Sequence, residues 1–229
     1  MKNIKTRVLH EDNHLLVVNK LPGELVQGDR TGDKTLLDFA KNYIKEEYNK
    51  PGEVFLGLPH RLDRPTSGIV VLSRTSKSLS RMTKVFRDKE LKKIYWAIVA
   101  EKPKKESGKL VDMLLRNPKQ NKSYVHNGNN KEAKKAELEY RLLKSSDRYH
   151  LLEINLLTGR HHQIRAQLAN MGCPIKGDLK YGFDRSNKDG SISLHARFIS
   201  FNHPVKKEEV LIEAAPPQDV LWDYFVLNS

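Results

Sequence analysis

At 229 residues the chain is long enough to bury one substantial core, and with no evident linker or internal repeat it reads as a single domain over 1–229, in one or two lobes. Its one cysteine, Cys173, excludes an intramolecular disulfide and suits a reducing cytoplasm. No run of about 18 apolar residues is present to form a membrane helix, and 41 Lys and Arg against 28 Asp and Glu leave a net charge of +13 that favours a polyanionic partner.

Along the chain, residues 15–18 form an apolar run that reads as a strand, too short for the core of a signal peptide, and a turn follows at Pro22-Gly23. Leu36, Leu37, Ala40, Tyr43, Ile44 and Tyr48 recur at helical spacing and stop before Pro51-Gly52. Residues 54–58 and 69–72 are short apolar runs bounded by Pro and Gly, which read as strands. Leu79, Met82 and Phe86 mark a second helix. Strands are expected at 94–99, 136–143, 150–157, 194–201 and 210–214, with alternation clearest at Leu138, Tyr140 and Leu142. The polar stretches 102–108, 117–135 and 182–191 read as excursions from the core. A third helix should follow Thr158 as its cap, with Ile164, Leu168 and Met171 on its apolar stripe and Gly172 as its terminator. Arg165 lies beside that stripe, placed to reach inward. Strands outnumber helices and are often consecutive, so the expected class is α+β with a largely antiparallel sheet.

Between the runs at 54–58 and 69–72 stands His60-Arg61-Leu62-Asp63-Arg64-Pro65-Thr66-Ser67-Gly68. It sets one carboxylate between two guanidiniums in a turn-rich loop. Such an Asp either caps a turn and pairs on the surface or is a fixed carboxylate that reacts, and loops held by rigid elements often carry catalytic groups. Neither a His-Glu-x-x-His nor a paired-Cys spacing is present, so no metal site is expected. A nucleotide cofactor has no Gly-rich phosphate cradle to sit in. Lysines cluster at 89, 92 and 93, at 102, 104 and 105, at 131, 134 and 135, and at 206 and 207, which together predict a salt-sensitive affinity for a polyanion.

The Asp63 loop, Lys93-Ile94-Tyr95, and Gly159-Arg160-His161-His162-Gln163-Ile164-Arg165 resemble, in order, three signature segments of the RluA-type pseudouridine synthases. Further similar segments are Gly177-Asp178-Leu179-Lys180-Tyr181-Gly182, Leu194-His195-Ala196-Arg197, Phe201-Asn202-His203-Pro204 and Ala215-Pro216-Pro217, so the resemblance runs from about Val8 to about Pro217. It implies a mixed, mostly antiparallel sheet with flanking helices and a central RNA-binding cleft. It also implies isomerisation of a uridine in ribosomal or transfer RNA, without cofactor or metal. In that family frame Asp63 is the catalytic carboxylate, Arg165 its ion-pair partner, and Tyr95 the residue that contacts the base and is the candidate acceptor of its C5 proton. A neighbouring guanidinium keeps a carboxylate ionised.

The target base must leave its stack, and Arg61 corresponds to the arginine that fills the vacancy. His60, Arg64, Lys93, Arg160 and His162 are expected to contact RNA. The chain departs from the pattern at Lys20-Leu21-Pro22-Gly23, where Lys-Pro-x-Gly is usual, and at His161, where Thr is usual. Local RNA contacts are expected to differ there. Because Val8-Leu9-His10-Glu11-Asp12 already resembles the opening of the catalytic domain, no separate N-terminal RNA-binding domain is expected, and no obligatory protein partner. A cytoplasmic location is expected too. Two other readings stand beside this one: a basic RNA-binding or assembly protein that keeps the fold without turnover, and a glycoside- or nucleoside-cleaving hydrolase, which would need a second positioned carboxylate.

Overall fold

The computed structural model describes residues 3–29 and 31–227. In chain order these form β1 (Val8–Glu11), β2 (Leu15–Lys20), α1 (Leu36–Glu47), β3 (Ser67–Ser73), α2 (Ser76–Asp88), β4 (Leu91–Val99) and β5 (Ser107–Asn117). There follow β6 (Lys122–Val125), β7 (Lys134–Ser145), β8 (His150–Leu156), α3 (Gln163–Asn170), β9 (Leu194–Asn202), β10 (Glu209–Glu213) and α4 (Val220–Leu227). The class is α+β with a mixed, mostly antiparallel sheet, as the strand count predicts. No helix of the described residues is long and apolar enough to cross a membrane.

The chain divides into two compact units. The first comprises Met1–Leu91 and Ala196–Pro217. Its strands neighbour one another in the order β1-β2-β3-β9, with β10 antiparallel to β9. Leu15, Leu16, Val17 and Val18 of β2 lie opposite Ser73, Leu72, Val71 and Val70 of β3, and all eight side chains are buried. Such continuous apolar runs mark strands covered on both faces. Thr35 and Asp38 close a reciprocal capping box on α1, which buries Leu36, Ala40 and Ile44. Thr75 caps α2, and Lys89 ends it in the left-handed conformation.

The expected strand at 54–58 is a correction. Only Gly57 pairs, exchanging two backbone hydrogen bonds with Ser73. The rest of β3 is already flanked by β2 and β9, so only its end can accept another segment. A Cβ at Gly57 would stand 2.5 Å from the Leu79 side chain, which would have to shift to admit it.

The second unit comprises Lys92–His195 and Gln218–Ser229. Its strands run in the order β4-β8-β7-β5-β6, and each of these pairs is antiparallel. The stretch 117–135 is therefore no mere excursion: it contains β6, which pairs with β5 from Leu114↔Val125 to Asn117↔Lys122. On this unit α3 packs Ala166 against Leu114, Ala136 and Tyr181. Gly172, at φ 84, ends α3 as expected, with Gly172 N–H donating to Ala169 O and Cys173 N–H to Leu168 O. Thr158 does not cap it. The helix begins four residues later than that cap requires, after His162, whose backbone is left-handed at φ 53.

Candidate active site

In the first unit, Asp63 sits half-buried in a tight turn closed by Thr66 N–H donating to Asp63 O. Two devices hold this turn. The first is Lys20, fully buried at the end of β2, whose Nζ donates to the carbonyls of Leu21 (3.0 Å), Arg64 (3.0 Å) and Thr66 (2.5 Å). Burial lowers the Lys20 ammonium to about 7, against the opposing pull of Glu24 and Asp63. The second is Gly68, at φ 111, where a Cβ would come within 2.4 Å of the Ala196 backbone on β9. Only glycine allows that approach.

The neighbours of Asp63 divide by task. Arg64 Nε donates to Gly23 O and its Nη2 pairs with Asp33 at 2.8 Å, while Gly23 N–H donates to Arg64 O. The displaced Lys20-Leu21-Pro22-Gly23 segment is thus the floor of the Asp63 turn, a role its sequence did not suggest. His60 Nε2 accepts from Val71 N–H at 2.9 Å and its ring stacks on Phe86 at 4.4 Å. Both groups brace the loop. Arg61 is exposed and makes no hydrogen bond or ion pair among the described residues.

In the second unit, Tyr95 lies on β4 opposite Ile154 of β8 and is buried. Lys93, two residues earlier, points its Nζ at Gly159, where a Cβ would lie 3.6 Å away. Residues 158–163 are shaped by two side chains. Thr158 Oγ1 accepts from Glu137 N–H on β7 and donates to Gln163 Oε1, which also accepts from Arg160 N–H. Gln163 Nε2 donates to Glu137 O and Gln167 Oε1. Arg160 is exposed, with its Nε donating to Lys135 O.

Arg165 is buried and meets a carboxylate that sequence reasoning left without a role. Its Nε donates to Asp178 Oδ2 at 2.7 Å and its Nη2 to Asp178 Oδ1 at 2.8 Å, and the side chains are 6% and 1% exposed. Two parallel charge-assisted bonds of this kind are strong and fix the guanidinium plane. The guanidinium also stands over the Tyr181 ring, 5.0 Å from its centroid. The only sequence signal for Asp178 was its place in the family-like segment 177–182.

His162 is buried beside this pair, with Nδ1 3.0 Å from the Tyr181 hydroxyl and its ring stacked 3.8 Å from that of His161. Burial, reinforced by Arg165 and His161, lowers His162 to about 2, so it is a neutral imidazole at physiological pH. His161 is placed by Ser123 Oγ on one nitrogen and Asn121 Oδ1 on the other. The side chain that replaces the usual Thr therefore ties the loop to β6 and its turn.

Comparisons with known proteins bear on the family and the fold. The family model described as RNA pseudouridylate synthase matches residues 14–170. The ribosomal large subunit pseudouridine synthase C of Buchnera aphidicola (subsp. Schizaphis graminum) is 33% identical, over 98% of this chain and 71% of that protein. The ribosomal large subunit pseudouridine synthase D of Zymomonas mobilis is 29% identical, over 96% of this chain and 72% of its own. Among solved structures, human RNA pseudouridylate synthase domain containing 4 superposes with a TM-score of 0.82 at 25% identity, over 99% of this chain and 95% of that one.

Proposed function

The chain belongs to the RNA pseudouridylate synthase family, and from that premise we propose that it isomerises a specific uridine of ribosomal or transfer RNA, with Asp63 as its catalytic carboxylate. As a pseudouridine synthase it is an isomerase. The two curated relatives are named for the ribosomal large subunit, which makes ribosomal RNA the first substrate to offer. A cytoplasmic location goes with such a substrate.

The reaction breaks the C–N glycosidic bond, turns the base, joins its C5 to C1′ of the ribose and removes the C5 proton. Nothing is added and nothing is oxidised. A carboxylate suits the first stage, since it can attack the sugar or the base covalently, or assist loss of a sugar proton, and then leave. Tyr95 and Arg165 complete the proposed catalytic set. The Tyr95 ring would stack on the base and its hydroxyl receive the C5 proton, and the Arg165 guanidinium supplies a fixed cation. Arg61, exposed beside Asp63, would stack in the gap left by the flipped base while bonding to phosphate. His60, Arg64, Lys93, Arg160 and His162 are proposed as the remaining RNA-facing set. Of these, Arg160 is exposed for direct contact and His162 is buried, acting through the shape of its loop.

One observation carries the reading. Asp63 is presented half-exposed by a turn whose backbone is held at Arg64 and Thr66 by a fully buried lysine. A carboxylate serving only to cap a surface turn has no need of that foundation. The test is tritium release from ribosomal and transfer RNA labelled at C5 of uridine. Release by wild type and none by Asp63→Ala is expected; equal release by both would remove Asp63 from its role.

A further inference from the structure

We infer that Asp178 is a positioning residue for catalysis, which sets the orientation of the Arg165 guanidinium through a side-on fork and a stack on Tyr181. This deepens the proposed function, and rests on the reading that Arg165 belongs to the catalytic set. A guanidinium on a long side chain has several rotamers, and a cation that must stabilise charge at one place needs a single one. Asp178 takes the Nε and Nη2 edge with both of its oxygens, at 2.7 and 2.8 Å, so rotation about the last side-chain bonds is blocked. Tyr181 supports the flat face of the same group.

The support is itself built into the backbone. Asp178 and Tyr181 belong to one tight turn, with Tyr181 N–H donating to Asp178 O and Phe183 N–H to the same carbonyl. The Tyr181 hydroxyl is 2.9 Å from Ser123 N and 3.1 Å from Ser123 O, which ties this turn to β6. Gly177, at φ 87, lets the chain enter the turn, since a Cβ there would lie 2.7 Å from Ser191 O and 2.8 Å from the Asn187 amide. A surface salt bridge has no such scaffold. Here a buried charge, its turn and an aromatic floor converge on one head group.

Asp178→Asn keeps the shape and removes the charge. The expected result is a fall in kcat of about a hundredfold with KM for RNA little changed, because a misplaced catalytic group loses transition-state stabilisation rather than binding. Added to Arg165→Lys, Asp178→Asn should cost almost nothing more, since both act through one group. A folded Asp178→Asn enzyme with wild-type kcat would overturn the inference, as would an equal loss in both backgrounds, which a purely structural role predicts. Should Asp178→Asn not fold, Asp178→Glu keeps the charge and moves it by one methylene. A lower kcat at an unchanged melting temperature is then expected, and wild-type kcat is the contrary result. Hydrogen exchange at the Arg165 Nε–H, read by nitrogen-15 NMR, needs no turnover. Slow exchange in wild type supports the fork, and fast exchange overturns it. A wild type that modified no RNA would instead overturn the catalytic reading, with the exchange measurement still deciding whether Asp178 holds Arg165.

Discussion

The turn that presents Asp63 and the lodging of Arg165 hold their side chains by opposite means. The turn of Asp63 is held through its backbone, where Lys20 grips the carbonyls of Arg64 and Thr66, and Asp63 itself is only partly buried. Arg165 is placed through its head group, by a buried carboxylate and a tyrosine ring. For the proposed catalytic carboxylate, a turn held at its backbone fixes the position from which the side chain meets substrate. Arg165, proposed to stabilise charge without forming a bond, is gripped at its head group. The two regions should therefore respond differently to substitution: the first losing chemistry with little stability, the second losing both.

The largest effect expected is on chemistry. If Asp63 is the catalytic carboxylate, Asp63→Ala should lower turnover by at least about 10^4-fold, as removal of the principal reacting group does, while its thermal melt stays near wild type. A large drop in melting temperature would break the contrast, by showing that the carboxylate itself holds the turn. Arg165→Ala should do both kinds of damage. Leaving Asp178 buried without its partner costs about 3–5 kcal/mol, read as a lower denaturant midpoint, and turnover falls with it. An unchanged midpoint would mean that the lodging contributes nothing to the fold.

Lys20→Met probes the hidden side of the Asp63 turn. Its three carbonyl partners lose their donor, at a net cost of about 1–3 kcal/mol, and kcat should fall about tenfold as the turn loosens. The pH dependence sharpens this. Burial holds Lys20 near 7 against an ordinary 10.5, so between those values the unfolded chain binds more protons and wild-type stability rises with pH. That rise should be missing in Lys20→Met, and its survival would place the titration elsewhere.

The neutral histidine beside Arg165 gives the opposite pH signature. His162 is lowered to about 2 from 6.5, so its contribution is complete above pH 6.5 and is lost as pH falls below it. Between pH 7 and 5 the loss should be about 1–2 kcal/mol. His162→Asn tolerates the left-handed backbone and should remove that slope. Arg61→Ala is the mildest change, with a wild-type melt and RNA affinity lower by about tenfold, the scale of one lost stacking contact. Unchanged affinity would take Arg61 out of the RNA-contacting set.

Much of the fold could be read from periodicity alone. The cores of β2, β4, β7, β8, β9 and β10 and the helices α1 and α2 carry the apolar spacing of their type, and Gly172 ends α3 as its composition suggests. The failures have physical causes. β5 exposes Val111 and Met113 on its outer face, which erases the alternation that would have marked it. α4 is apolar nearly throughout and shows no stripe. Thr158 has the chemistry of a helix cap, but Glu137 and Gln163 claim its hydroxyl first. For the site, the segments bearing Asp63, Tyr95 and Arg165 were recognisable, yet what holds them was not. Lys20 and Asp178 act across gaps of 44 and 13 residues, and no local pattern announces such pairings.

The most direct measurement is a nucleoside analysis of ribosomal RNA after incubation with wild type and with Asp63→Ala, counting pseudouridine and free uracil in the same digests. The account predicts new pseudouridine at a defined position with wild type only, and no uracil. Free uracil would make Asp63 part of a hydrolase, and unchanged RNA from both proteins would leave the fold serving binding without turnover.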